Sequence, residues 1–248
     1  MKQASTLDLN CDLGEGELDS RTRALMRWAT SVNVACGGHA GSVKSMQRCV
    51  ELAKRFSVLL GAHPGPWSRG DLGRGAVQIT PDEFELLLIQ QVGALDRIAR
   101  SKGVCLHHIK LHGALYHASE ANAGIGRRYV ESVARWWPEA IIYSQASGSV
   151  ASLAKRSGVK VWEEAFVDRG YQDTSGLVPR NKPGALLTDS RVVQRRVQMI
   201  LDEGVVESVS GRRLALNPQT LCVHSDTLNA PRIAREVRRV LNGQSLVA

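Results

Sequence analysis

Asp8-Leu9-Asn10-Cys11-Asp12-Leu13-Gly14-Glu15 lies near the start of a 248-residue chain and alternates apolar with polar residues. Successive side chains of a β-strand point to opposite faces, so Leu7, Leu9 and Cys11 share one face and Asp8, Asn10 and Asp12 share the other. A strand covered by helices does not normally carry three polar residues on one face unless they have a use. The stretch therefore predicts a first strand whose polar face serves a function.

Short apolar or β-branched runs like this one recur along the whole chain. Seven candidate strands result, at 6–10, 31–36, 58–62, 104–109, 140–144, 159–164 and 220–224. Segments with helical periodicity lie between them, at 20–30, 43–55, 80–99, 120–136, 147–156, 190–202 and 228–241. Strict alternation of strand and helix requires parallel strands with right-handed crossovers. The sequence thus leaves two architectures, an open doubly wound sheet and a closed barrel.

The start of the third helix carries its own signal. Thr80 can accept hydrogen bonds from free backbone N–H groups, Pro81 lacks an N–H where none is needed, and Glu83 completes a capping box. Farther along the chain, the segment 206–216 contains Ser210-Gly211 as a turn. It therefore predicts a β-hairpin inserted before the last strand.

Polar residues cluster at the carboxyl ends of the predicted strands. The inner-face sets after the first strand are Asn33 and His39; Gly61 and His63; His108, Lys110 and His112; Trp162, Glu164, Phe166 and Asp168; and Cys222, His224 and Asp226. The glycine-rich turns at 36–41 and 61–65 each contain one of these histidines. In a barrel all strand ends surround one mouth, whereas in an open sheet they would be strung along an edge. We therefore predict an α/β fold with a single TIM-like, seven-stranded parallel β/α barrel over 1–248.

Composition narrows the classes of partner. The net charge is +8, but the arginines are spread along predicted helices and no basic run is interleaved with aromatic residues, so we expect no nucleic acid. Nowhere do eighteen apolar residues follow one another and the first residues are not those of a signal peptide, so we expect a cytoplasmic protein with no membrane partner. Five cysteines without paired spacing are typical of reduced thiols. Cys11 and Cys36 point away from the polar face and are expected to be small buried side chains.

A set of motifs along the chain resembles one protein family, LamB/YcsF. The motifs are the stretch from Asp8 to Glu15, 33–41, 61–65, 110–116, Asp168-Arg169-x-Tyr171, Lys182-Pro183-Gly184-Ala185 and Cys222-Val223-His224. The chain departs from the family pattern at Gly38, Ser42, 66–68, Leu111, His117 and Ser225, which flank the expected mouth.

The resemblance implies a seven-stranded barrel that acts in an ATP-dependent 5-oxoprolinase, which opens 5-oxo-L-proline to L-glutamate. It further implies two other subunits as partners and a small-molecule substrate, and it leaves a homo-oligomer open. No Gly-x-x-x-x-Gly-Lys-Ser/Thr loop is present, so ATP would be bound in another way or on a partner subunit.

Opening a lactam needs an activated nucleophile, a proton donor for the leaving nitrogen and a group that stabilises an oxyanion. The candidate catalytic residues are Asp12, His39, Lys110, His224 and Asp226. The candidate substrate-binding residues are Asn10, Glu15, Asn33, Arg169 and Tyr171. The family match favours a binding role for Arg169 and Tyr171, while a structural Asp168–Arg169 ion pair is the alternative. His107 and His117 are expected to be surface or packing residues.

Asp12, His63 and His112 could also hold a divalent metal and leave a position open for water. These residues are also consistent with two other functions. One is a metal-dependent amidase or deacetylase that acts alone, and the other is a non-catalytic paralogue that only binds the ligand.

Overall fold

The computed structural model describes residues 7–243. Seven parallel strands close into a barrel, in the order in which they occur along the chain. They are β1 (Asp8–Leu13), β2 (Ser31–Ala35), β3 (Leu59–His63), β4 (Leu106–Lys110), β5 (Ile141–Gln145), β6 (Val161–Phe166) and β9 (Thr220–Val223). Asn10 of β1 lies opposite Ser31 on one side and Cys222 on the other, which closes the barrel. The predicted fold class is confirmed; Thr6, the first residue of the predicted first strand, lies outside the described residues.

Helices cover the outside of the barrel. They are α1 (Asp19–Met26), α2 (Val43–Phe56), α3 (Pro81–Ser101), α4 (Gly113–Ala121), α5 (Ala123–Trp136), α6 (Ser149–Arg156), α7 (Ser190–Glu203) and α8 (Ala230–Leu241). The capping box at Thr80 and Glu83 is present, with the Thr80 hydroxyl accepting from the Glu83 N–H and the Glu83 carboxylate accepting from the Thr80 N–H.

The structure corrects one helix. The sequence predicts a single helix at 120–136, but two helices occupy this region, because Asn122 has the extended angles φ −112° and ψ 110°. Its side chain accepts hydrogen bonds from the N–H groups of Gly124 and Ile125 and so caps α5.

Gly113 begins α4 at φ 51°, and a Cβ there would lie 2.5 Å from the Gly73 carbonyl oxygen. The close approach of these two loops therefore requires glycine.

The predicted hairpin is present as β7 (Val205–Glu207) and β8 (Arg213–Ala215), which pair antiparallel. Among residues 7–243, no helix is both long enough and apolar enough to span a bilayer.

The two faces of β1 have separate roles. Leu9, Cys11 and Leu13 are buried in the apolar layer between strands and helices, where each leucine contributes about 1.5–3 kcal/mol. Cys36 is also buried in this layer, as expected. On the inner face, at the amino end of the barrel, Asp8 accepts hydrogen bonds from hydroxyl groups of the surrounding strands, those of Ser31, Thr220 and Tyr143. The amino end of the barrel interior is thus filled by polar side chains that hydrogen-bond one another.

Candidate active site

A cavity of about 620 Å³ opens at the carboxyl ends of the strands, the face where parallel barrels place their functional groups. Its polar lining comes from strand ends and from the loops after β3 and β6. The polar and charged residues that line it are Asp12, His63, Arg74, Lys110, His112, Tyr116, His117, Arg169, Arg180, Asn181 and His224.

Lys110 is the centre of a buried network of charges. Its Nζ lies 2.8 Å from Glu164 Oε1, 3.1 Å from Asp12 Oδ1 and 3.0 Å from Cys222 Sγ. Burial alone would lower the pKa of Lys110, but the two carboxylates raise it well above its usual value. Burial likewise opposes ionisation of Asp12, yet His63 and Lys110 hold its pKa well below the usual range. Lys110 is therefore a cation and Asp12 an anion at neutral pH.

Asn10 and Asn33 support this network from beneath. Asn10 Nδ2 donates to Glu164 Oε1, and its Oδ1 lies 3.2 Å from Lys110 Nζ. Asn33 Nδ2 donates both to Asn10 Oδ1 and to Asp12 Oδ1. Both amides are fully buried and neither lines the cavity. The two predicted substrate-binding residues therefore contact Asp12, Lys110 and Glu164 and do not line the described cavity.

His224 is oriented by a second carboxylate. Its Nδ1 donates to Asp168 Oδ1 at 2.9 Å, while Asp168 Oδ2 accepts from the His224 N–H and the Thr227 hydroxyl. Burial opposes ionisation of Asp168, but His224 and the hydrogen bonds lower its pKa. Because Nδ1 carries the proton, Nε2 of His224 is left as a proton acceptor, the arrangement of a catalytic histidine and its orienting acid. The alternative Asp168–Arg169 ion pair is wrong, since Asp168 binds His224 and Thr227.

A cluster of three histidines and a glutamate lies beside Asp12. His63 Nδ1 is 2.8 Å from the Lys110 carbonyl and His112 Nε2 is 2.8 Å from the Leu72 carbonyl, so each of these nitrogens carries the proton. The other nitrogens, His63 Nε2 and His112 Nδ1, then face each other at 2.9 Å with their lone pairs. Two lone pairs at this distance repel each other unless a proton or a metal cation lies between them.

Glu15 and His39 complete the cluster. Glu15 Oε1 lies 3.1 Å from His39 Nε2 and 3.2 Å from His112 Nδ1. Burial would raise the pKa of Glu15, but the neighbouring His112 and His39 lower it strongly. His39 is 1% exposed, burial lowers its pKa to about 4, and within residues 7–243 its Nδ1 has no hydrogen-bond partner. A Cβ at Gly65 would lie 2.2 Å from that nitrogen, so glycine is required at this turn.

The donor set fits a divalent cation. Glu15, His39, His63 and His112 each offer a ligand atom within 4.8 Å of the others. Three imidazoles and a carboxylate are typical of zinc sites, and a backbone carbonyl that accepts the second N–H is the usual support of a histidine ligand. This group contains His63 and His112 of the predicted set, together with Glu15 and His39. The third predicted ligand, Asp12, is not one of its four members, although Asp12 Oδ2 lies 3.5 Å from His63 Nε2.

Two predicted site residues are not part of these buried clusters. Tyr171 does not line the cavity; its hydroxyl accepts the N–H of Phe166 and so supports the end of β6. The side chain of Asp226 is 37% exposed, and its Oδ2 accepts from Arg74 at 2.7 Å and Arg180 at 2.9 Å. It lies between two loops at the rim and does not contact Asp12 or Lys110.

Sequence analysis gives no catalytic or binding role to several residues that line or support the site. Glu164 and Asp168 were placed on the inner face but given no role, although one pairs with Lys110 and the other orients His224. His117 was expected to be a surface or packing residue, yet it lines the cavity. The inner-face alternation of β6 was the signal that could have assigned the two acids.

The arrangement agrees with comparisons with known proteins. The family model described as LamB/YcsF matches residues 7–247. The chain belongs to the LamB/YcsF family.

Relatives of this LamB/YcsF chain are similar over nearly their full length. A protein from Pyrococcus abyssi, named as the A subunit of 5-oxoprolinase, is 37% identical over 97% of this chain and 95% of the relative. Its namesake from Bordetella parapertussis is 37% identical over 98% of both chains. The crystal structure of the lactam utilization protein from Thermus thermophilus superposes with a TM-score of 0.88 at 34% identity, covering 96% of both chains. The barrel therefore belongs to a shared architecture.

Proposed function

We propose that this chain is the ring-opening component of an ATP-dependent 5-oxoprolinase, which converts 5-oxo-L-proline to L-glutamate together with two further subunits. The observation that carries the proposal is that the Asp12–Lys110 pair and His224, which Asp168 orients, meet at one cavity. Similarity over the full length to proteins named as the A subunit of 5-oxoprolinase supports the choice of substrate.

Each pair supplies one of the functions that opening an amide requires. Nε2 of His224 is free to take a proton from the attacking nucleophile and return it to the leaving nitrogen. The Lys110 ammonium is held in place by Asp12 and Glu164 and can stabilise negative charge that develops on the carbonyl oxygen. Because these groups are buried, their electrostatic effect on a bound ligand is stronger than it would be in water.

ATP is assigned to the assembly as a whole. The sequence has no P-loop, so we place nucleotide binding together with the partner subunits. In this arrangement the partners couple ATP hydrolysis to the reaction, and this chain supplies the groups that open the ring.

The experiment is a turnover assay with the purified chain, its two cognate subunits, ATP and 5-oxo-L-proline. We expect glutamate only when all components are present, and none when His224→Ala replaces the native chain. Absence of turnover in the complete mixture would contradict the proposal. Binding of oxoproline to this chain without turnover would favour a non-catalytic binding subunit instead.

A second candidate function is hydrolysis of an amide by this chain alone with a divalent metal. The observation in its favour is the convergence of Glu15, His39, His63 and His112. A metal held there would supply a Lewis acid and an activated water beside Asp12. If a chelator leaves the activity and the stability unchanged and no metal co-purifies, this candidate fails.

A further inference from the structure

Three arginines line the cavity together with the catalytic groups. Arg74 lies in the loop after β3, and Arg169 and Arg180 lie in the loop after β6. Among the described residues that line the cavity, one is acidic: Asp12, which is already paired with Lys110. The mouth therefore presents more positive than negative charge to a ligand.

Arg169 is the most deeply buried of the three, with 6% of its surface exposed. Its Nε donates to the Ala185 carbonyl and its Nη2 to the Val178 carbonyl, so the loop itself fixes the guanidinium. Within residues 7–243 it forms no ion pair and its Nη1 group makes no hydrogen bond. The neighbouring Asp168 is committed to His224 and Thr227.

A largely buried cation without a directly bonded counter-ion is energetically unfavourable. Arginine cannot reduce this cost by losing its proton at physiological pH. Burial and the positive charge of Arg180 lower the pKa of Arg169, and the opposing effects of Asp168, Cys222 and Asp226 do not cancel them. An anion that enters the cavity would remove this cost.

Asp226 neutralises only part of the positive charge at the rim. One oxygen of its carboxylate accepts from both Arg74 and Arg180, so two arginines share one negative charge while Arg169 has none. The bridge also connects the loops after β3 and β6, which holds Arg180 at the cavity wall. Asp226 is thus a positioning residue for the arginines.

We propose that Arg169 is the anchor for the carboxylate of the substrate, and that this chain therefore selects lactams that carry an anionic group over neutral lactams of the same ring size. The inference rests on the proposed function and names the residue that sets substrate class. The planar fork of arginine fits a carboxylate with two parallel hydrogen bonds, which lysine cannot offer.

The test measures binding to the full chain by saturation-transfer difference NMR and calorimetry, with two probes. One probe is 5-oxo-L-proline and the other is 2-pyrrolidinone, the same ring without the carboxylate. We expect the native chain to bind oxoproline at least tenfold more tightly than pyrrolidinone. Arg169→Met should weaken oxoproline binding by about 10- to 100-fold, the range for a hydrogen-bonded charged group, and leave pyrrolidinone binding unchanged.

Two further variants separate anchoring from damage to the loop. Arg169→Lys keeps the charge without the fork and should recover part of the affinity for oxoproline. Arg212→Met removes an equal charge from the exposed hairpin and should have no effect. Equal affinities of the native chain for both probes, binding of neither probe, or parallel losses of both in Arg169→Met would each overturn the proposal.

The result is distinguishable from the fate of the proposed function. If the chain binds oxoproline through Arg169 but shows no turnover with its partners, the proposal for Arg169 stands and the proposed function fails. If turnover is unchanged in Arg169→Met, the proposed function stands and the proposal for Arg169 fails.

Discussion

His63 Nε2 lies 2.9 Å from His112 Nδ1, and each ring uses its other nitrogen to donate to a backbone carbonyl. The pKa of His63 is raised because Asp12 outweighs the effect of burial, so a proton is one occupant of this contact. A divalent cation, supported by Glu15 and His39, is the other. The two occupants lead to opposite results in a metal-binding measurement.

We predict that the chelator-treated chain binds one equivalent of Zn²⁺, and that His63→Gln and His112→Gln each weaken this binding by at least tenfold. The physical reason is that each substitution removes one of the converging lone pairs. Calorimetry and elemental analysis of the dialysed protein provide the measurement. His117→Gln is the matched control, because His117 lines the same cavity outside the cluster. Identical zinc stoichiometry and affinity in all three variants would show that a proton occupies the contact.

Asp168→Asn should lower kcat of the assembled enzyme by about 10²- to 10⁴-fold. An amide at this position would present an N–H to His224 Nδ1 and force the proton to Nε2, which could then no longer accept one. Thr227→Val removes a different hydrogen bond to Asp168 and keeps the tautomer, so its kcat should fall much less. Equal losses in both variants would mean that Asp168 has only a structural role.

Lys110→Met should abolish turnover and lower the free energy of unfolding by about 3–5 kcal/mol, because two buried carboxylates lose their counter-ion. Adding Glu164→Gln removes one of those charges and should restore part of the stability. Urea denaturation of the four proteins of this double-mutant cycle gives the coupling energy, which we expect to exceed about 1 kcal/mol. Additivity within about 0.5 kcal/mol would contradict the buried pairing.

The inner-face residues of the strands could be predicted from the sequence because a strand has a side-chain period of two. Once the strands were located, this period placed Asp12, Lys110 and His224 on one face, and the structure brings them together. The roles of Tyr171 and Asp226 could not be predicted this way. Both lie in loops beyond the strand ends, where the path of the chain depends on packing against other loops.

The side chain that packs against the turn at Gly38 could not be predicted from the local sequence either. A Cβ at Gly38 would lie 2.5 Å from Gln91 Nε2. Gln91 comes from α3 and bonds both the N–H and the carbonyl of Gly65. The glycine at 38 and the glutamine at 91 are separated by 53 positions, so only the folded structure relates them.

The stability of the barrel should fall in mild acid because His108 is buried without charge. Its Nε2 lies 2.6 Å from Asn33 Oδ1 and its ring stacks on Tyr143, and burial, with the nearby His107 and Lys110, holds its pKa well below the usual value. Below about pH 6.5 the unfolded chain binds a proton at this histidine and the native chain does not. The stabilisation is therefore complete above that pH and is lost as the pH falls toward the native pKa, by up to about 1.4 kcal/mol per pH unit.

His108→Gln keeps an amide donor near Asn33 but cannot titrate. We expect its free energy of unfolding, from urea denaturation of chelator-treated protein at pH 7.5, 6.5 and 5.5 (roughly one pH unit apart around the histidine pKa), to fall less steeply than that of the native chain. The difference should approach one proton, whatever the absolute stability of the variant. Parallel slopes would mean that His108 binds its proton equally in the folded and unfolded chains and would contradict this prediction.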